Sequence, residues 1–372
     1  MRVLVLSKRH SGCSGLTGER GYRSFELPEA LAGLGHQVRG IALSYQRRPQ
    51  FESARLKPDG AVWDSINGFP YSLIGARRHL RYIAETLGLF NPDIVWATSD
   101  AWQLYAGGRV AKSLGVPYVV DFSEDYETSN IGRLPGLASL LRRAYKDASG
   151  VTANGQALAE FVSGHYPRKE AGVQIIGDAA TPYFFQPYSQ GSARSMLGLP
   201  MRATLIGTAG KLTADYDIET LCRASPVLKE RHPSLKLVLA GPRDESLKKL
   251  LHEDIIDLGI LTQQRLALLF RALDVGVICG RRQGHDSPRD YHEMLASGLP
   301  FVAAETEEVL HLLETVPECR YVRGDMESLV ERVDALLNIR RRGDLPAATW
   351  DERAQALQQF LSQVKDVAGG PE

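Results

Sequence analysis

Between Asp286 and Glu305 the chain reads DSPRDYHEMLASGLPFVAAE, and few folds accommodate that order of residues. Ser287 suits a helix N-cap, Pro288 the first helical position and Asp290 the acid of a capping box, so a helix is predicted to open here. Tyr291, Met294 and Leu295 would face a core, Ser297-Gly298 would end the helix, and Leu299 to Ala304 has the composition of a strand covered on both faces. Loop, helix and buried strand in immediate succession belong to an α/β domain. Such a helix N-terminus is a ready anion site, and Glu293, further along, carries a carboxylate that can accept hydrogen bonds from a sugar diol. An ordinary surface helix with a solvated Glu293 is the alternative.

At 372 residues the chain exceeds one ordinary core and suits two α/β domains. Lysine plus arginine equal aspartate plus glutamate at 44 each, so no overall field argues for nucleic acid as a partner. Cys13, Cys222, Cys279 and Cys319 are scattered without CxxC spacing. That speaks against a zinc site or a disulfide framework and fits a reducing cytoplasm. MRVLVLSKRH reads as a short strand, not a leader, and no apolar run reaches a membrane span. A cytoplasmic protein is expected, either free or peripheral at the inner membrane face.

Val3 to Leu6 forms a buried-strand run, followed by a loop with Gly12, Gly15, Gly18 and Gly21 and a helix from Arg23 to Leu34. The spacing is not GxGxxG, so the glycines admit either close approach of a ligand or a mobile loop. Residues Tyr45 to Tyr71 are polar and proline-dotted, which suggests an excursion outside the core. Arg77, Arg78, His79 and Arg81 form one basic cluster, and Leu137, Leu140 and Leu141 against Arg142 and Arg143 another amphipathic surface. Each is a solvated face or a contact for acidic lipid. Asp121, Glu124, Asp125 and Glu127 end a strand where open α/β sheets bind ligands, unless they only cap a loop. In the second half, Gly207 and Gly210 permit tight approach, and Lys211 can set an ammonium on phosphate.

Several of these stretches carry a resemblance. EMLASGLPFVA, GHQVRGIAL, VQIIGDAATPYFFQP, GTAGKLTADYD, LKLVLAGPR, IIDLGILTQQRLALLFRALDVGVICG and the terminal WDERAQALQQFLSQV are similar to stretches of the retaining GT-B glycosyltransferases of the large family four. The resemblance implies an α/β GT-B fold of two Rossmann-like domains facing each other across a cleft. Residues 1–179 would bind the acceptor, with a C-terminal helix within 350–372 crossing back, and 180–349 would bind the nucleotide sugar. In that family the acid at Glu293 holds the donor ribose, and the amides before it hold diphosphate.

The same resemblance implies transfer of a sugar from a nucleotide diphosphate sugar to a glycan, lipid-linked or small-molecule hydroxyl, with retention and with neither metal nor cofactor. The donor would meet Gly15, Gly210, Lys211, Gly241, Leu261, Arg282, Ser287, Arg289 and Glu293. Asp121, Glu124 and Lys211 would act in catalysis. Departures are visible. Ser123 and Glu124 replace an arginine and an aspartate of one branch, His285 stands where many relatives have an acid, and Tyr216 occupies the place of a second phosphate-gripping cation. Arg282 and Arg289 are the expected compensation. A catalytically silent relative acting as a partner, or an epimerase or phosphorylase on the same fold, are the rival readings.

Overall fold

The computed structural model describes residues 1–9, 21–45, 52–55, 57–67, 73–126, 136–166, 172–250, 252–282, 285, 287–339 and 346–368. The chain divides into two compact units, Met1–Asp178 with Trp350–Glu372, and Ala179–Thr349.

The first unit runs β1 (Arg2–Lys8), α1 (Arg23–Gly33), β2 (Gln37–Ser44), β3 (Glu52–Arg55), β4 (Val62–Asn67), α2 (Leu73–Phe90), β5 (Ile94–Ala97), α3 (Ala101–Leu114), β6 (Tyr118–Phe122), α4 (Leu137–Asp147), β7 (Gly150–Ala153), α5 (Gln156–His165) and β8 (Gln174–Ile175). Its sheet has the order β3-β4-β2-β1-β5-β6-β7-β8 and is parallel except for β3. Val3 to Leu6 is fully buried, as a central parallel strand between two helical layers requires.

The stretch expected to lie outside the core contributes two of these strands. Asp64 and Ser65 made β4 look like a polar loop, yet both are buried. Asp64 accepts from Arg39 Nε at 2.9 Å and Ser53 Oγ at 2.7 Å, which removes the cost of burying it. Beside it, Trp63 stacks on Phe25 with ring centroids 4.1 Å apart and donates Nε1 to Glu29 at 2.8 Å. Gly40 makes the room: a Cβ there would lie 2.2 Å from the indole.

The second unit runs α6 (Gln190–Leu197), β9 (Thr204–Ala209), α7 (Ile218–Arg231), β10 (Leu235–Ala240), β11 (Ile255–Asp257), α8 (Gln263–Ala272), β12 (Val275–Ile278), α9 (Arg289–Ala296), β13 (Phe301–Ala304), α10 (Glu307–Leu312), β14 (Arg320–Tyr321) and α11 (Met326–Ile339). The sheet is parallel with order β11-β10-β9-β12-β13-β14. This is a doubly wound order, whose winding reverses between β9 and β12, and ligands of such sheets sit outside the strand C-termini at that reversal. The last helix, α12 (Trp350–Ala368), belongs to the first unit and packs on α1 through a face that buries Ala354, Leu357 and Leu361. No described helix is long and apolar enough to cross a membrane.

Candidate functional site

Each loop that leaves a strand C-terminus of the second unit near the reversal carries an expected site residue. Gly210 and Lys211 follow β9, Gly241 follows β10, Leu261 lies between β11 and α8, Arg282 follows β12, and Ser287, Arg289 and Glu293 belong to the start of α9. Gly15 lies outside the described residues.

The α9 start differs in detail from its sequence reading. The N-cap is Pro288 and no described side chain caps the helix, so Ser287 and Asp290 do not form the expected box. Pro288 has no N–H and its ring sets φ at −70°, which suits a cap residue as well as the first turn. Ser287 Oγ is instead buried with no hydrogen-bond partner among the described residues, the residue being 7% exposed. Met294, from the same helix, presses on β12 where Gly276 leaves space, since a Cβ there would lie 2.6 Å from its Sδ.

Glu293 is 2% exposed. Arg289 Nε stands 3.2 Å from its Oε1, and Gln263 of α8 hydrogen-bonds it. Burial pushes the Glu293 carboxyl up to about 7, against the pull of Arg289 and with a smaller push from Asp290. Asp290, half-buried, is pushed up to about 6 by desolvation, against its own backbone N–H and Arg289. Arg289, expected to reach for phosphate, is therefore engaged with Glu293. The i,i+4 spacing puts both on one helix face.

Gly241 has a packing duty. Its φ is +141°, and a Cβ would lie 1.8 Å from Gly210 O, so the loops after β9 and β10 touch backbone to backbone. Lys211 projects from this junction and is exposed. Leu261 packs against the core while its neighbour Ile260 is 77% exposed. His285 Nδ1 lies 2.6 Å from Glu307 Oε2.

Two further loops, after β12 and after β14, are stitched to the one that carries Lys211. Tyr216 forms an antiparallel bridge with Arg281, and Arg282 donates its backbone N–H to Asp215 O at 2.6 Å. Asp217 accepts from Tyr321 Oη at 3.2 Å, Gly324 N at 3.0 Å and Thr220 Oγ1 at 2.7 Å. Arg323, just beyond β14, donates Nε to Gly280 O at 3.1 Å. Neither Arg323 nor Gln263 was marked by the sequence, because no local spacing ties them to α9.

In the first unit, Asp121 is not the accessible acid that its position at the end of β6 suggested. It is fully buried and accepts Arg23 Nη2 at 2.8 Å, Arg23 Nε at 3.1 Å, Thr98 Oγ1 at 2.8 Å and Thr152 Oγ1 at 2.6 Å. Arg23 Nη1 also donates to Ile176 O at 2.5 Å, Gly177 O at 3.1 Å and Asp178 Oδ1 at 3.2 Å. Burial favours the neutral form of Arg23, and Asp121 and Asp178 override it, so the guanidinium is held above its ordinary value. Burial likewise pushes the Asp178 carboxyl up, opposed by Arg23. Glu124 is different: one-third exposed, it pairs with Lys8 Nζ at 3.3 Å. Asp125 is buried, and Glu127 lies outside the described residues.

Residues 21–176 match the glycosyl transferase 4-like domain and residues 203–338 match glycosyl transferases group 1. An uncharacterized glycosyltransferase of Methanocaldococcus jannaschii is 24% identical over 323 residues, 77% of this chain and 77% of its own. Sucrose-phosphate synthase of Thermosynechococcus elongatus shares the fold with a TM-score of 0.75 at 15% identity, over 100% of both chains. HepE of Anabaena, crystallised with UDP-glucose, gives a TM-score of 0.67 at 17% identity over 98% of both.

Proposed function

From a chain that belongs to the GT-B glycosyltransferases, 4-like in its first half and group 1 in its second, we propose transfer of a sugar from a nucleotide diphosphate sugar to a hydroxyl acceptor, with retention and without a metal. One observation carries the donor reading: Glu293 is buried in the helix whose N-terminus lies at the sheet's reversal, on the same strand-end edge as Gly210 and Lys211. HepE's complex with UDP-glucose supports a nucleotide sugar.

The Glu293 carboxylate would accept from the ribose diol, and the diphosphate would meet the free N–H groups of α9 and the Lys211 ammonium. As the bond between the anomeric carbon and the phosphate oxygen breaks, its electron pair goes to the phosphate, and these positive groups stabilise the growing charge without a divalent ion. The acceptor oxygen forms the new bond on the same face and gives its proton to a leaving phosphate oxygen. Among the described acids that follow β6, Glu124 is the one near solvent and would orient an acceptor, whereas Asp121 holds Arg23.

Calorimetry with UDP-glucose and GDP-mannose tests the donor site. Glu293→Ala should raise Kd by about 10- to 150-fold, the loss of a charge-assisted hydrogen bond of about 1.5 to 3 kcal/mol. Affinity in the parent chain should fall as pH drops through about 7, because protonation removes the charge, and Glu293→Gln should abolish that dependence. Stability moves the other way. The folded carboxyl keeps its proton up to about 7 and the unfolded one loses it near 4.5. Its stabilising contribution is thus complete below 4.5 and lost as pH rises through about 7. Asp290 acts in the same sense up to about 6, so Glu293→Gln reduces this stability slope without removing it. Unchanged donor affinity in a folded Glu293→Ala variant would take Glu293 out of the site.

Peripheral membrane contact rests on charge. Arg77, Arg78 and Arg81 of α2 and Arg142 and Arg143 of α4 are exposed, but Leu141 is buried and Leu137 packs against the core, which leaves Leu140 half-buried and the leucines without a continuous insertion face. The chain should therefore co-sediment with phosphatidylserine vesicles at low salt and be released by salt. Absence from the pellet at low salt disposes of the contact.

A further inference from the structure

The donor edge of the second unit holds more positive charge than its carboxylates answer. Lys211, Arg282 and Arg323 all lie on loops that the Tyr216–Arg281 bridge, the Arg282 N to Asp215 O bond and the Arg323 Nε to Gly280 O bond draw together. Among the described residues none of the three makes an ion pair. The buried acid on the Lys211 loop, Asp217, is filled by Tyr321, Gly324 and Thr220. Arg243, on the neighbouring loop, is spent on Asp257, and Arg289 on Glu293. Asp215 is exposed and engages Arg282 through its backbone carbonyl.

Arg323 is the most constrained of the three. Its Nε bond to Gly280 O fixes the plane of the guanidinium and leaves both terminal nitrogens for another acceptor. Its neighbours Tyr321 and Gly324 are tied to Asp217, the residue after Tyr216, and its own partner Gly280 precedes the Arg281 that bridges Tyr216, so Arg323 is held against the loop on which Tyr216 offers a hydroxyl and no charge. Gly280 cannot retreat readily, because a Cβ there would already lie 2.7 Å from Thr306 Cγ2 and 3.0 Å from Ala304 Cβ.

We propose that Arg323, supplied by the loop after edge strand β14, is a diphosphate-binding residue that supplies the cation missing at Tyr216. The proposal rests on the donor reading above and adds to it a residue from outside the β9, β12 and α9 loops. An arginine so placed reads two phosphate oxygens at once, which distinguishes a nucleoside diphosphate from a nucleoside by charge and geometry together.

Calorimetry with UDP and GDP, and with uridine and guanosine, tests it in Arg323→Gln, Lys211→Met and the double variant Arg323→Gln/Tyr216→Lys. Arg323→Gln should raise Kd for the diphosphate about tenfold or more and leave the nucleoside unchanged. Adding Tyr216→Lys should recover most of the loss, and Arg323→Lys should lose less than Arg323→Gln. Diphosphate affinity unchanged in Arg323→Gln but lost in Lys211→Met overturns the proposal and leaves the donor reading standing. Equal losses for both ligands, with no recovery from Tyr216→Lys, show that Arg323 only shapes the loop. A parent chain that binds neither diphosphate overturns the donor reading itself.

Discussion

Arg23→Met is expected to lower the stability of the first unit by about 3 to 5 kcal/mol, the range for breaking a buried ion pair by removing one partner. The reason is what stays behind. Among the described residues Asp121 keeps its two threonine donors, Asp178 keeps Asn154 Nδ2 at 3.1 Å, and both carboxylates remain shut away from water. Asp121→Asn added to Arg23→Met should recover part of the loss, because a neutral amide removes the stranded charge. Unfolding of a chain with two units is not two-state, so the readout must be local. Trp63, Trp96, Trp102 and Trp350 all lie in the first unit, and tryptophan fluorescence during urea unfolding follows that unit alone. A shift equivalent to less than about 1 kcal/mol, the scale of a surface ion pair, would mean that Arg23 is solvated and not buried as described.

Trp63→Ala should cost a similar amount, about 3 to 5 kcal/mol, as large-to-small changes of buried aromatics do. The loss has three parts. The stack on Phe25 goes, the Glu29 carboxylate loses the Nε1 donor at 2.8 Å, and the space that Gly40 opens in β2 stays empty. Trp63→Phe should retain the stack and most of the area, losing mainly the hydrogen bond. The three remaining tryptophans still report unfolding. If Trp63→Ala leaves the midpoint where it was, β3 and β4 are an ornament on the sheet and the earlier reading of this stretch as an excursion stands.

That stretch shows where sequence patterns stop informing. Periodicity and composition expose a strand when its buried residues are apolar, as in Val3 to Leu6 or Leu299 to Ala304. In β4 the buried set includes Asp64 and Ser65, which become acceptable inside only because Arg39 and Ser53 arrive from elsewhere in the chain. The same logic separated the acids at the end of β6. Asp121 and Glu124 lie three residues apart and read alike, yet one is saturated by Arg23 and two threonines while the other meets Lys8 near solvent.

The sequence by itself determined the α/β class, the succession of loop, helix and strand around Glu293, and the GT-B resemblance, because these depend on residues close together in the chain and on periods of the backbone. Only the tertiary structure decided which charges are available. Arg23 finds Asp121 across 98 positions, and Arg323 reaches Gly280 across 43. Arg289, the residue that local spacing offered to phosphate, is held by Glu293 one turn along its own helix. A charge's role follows from its desolvation and its partners, and those are set by which strand ends the sheet order makes neighbours.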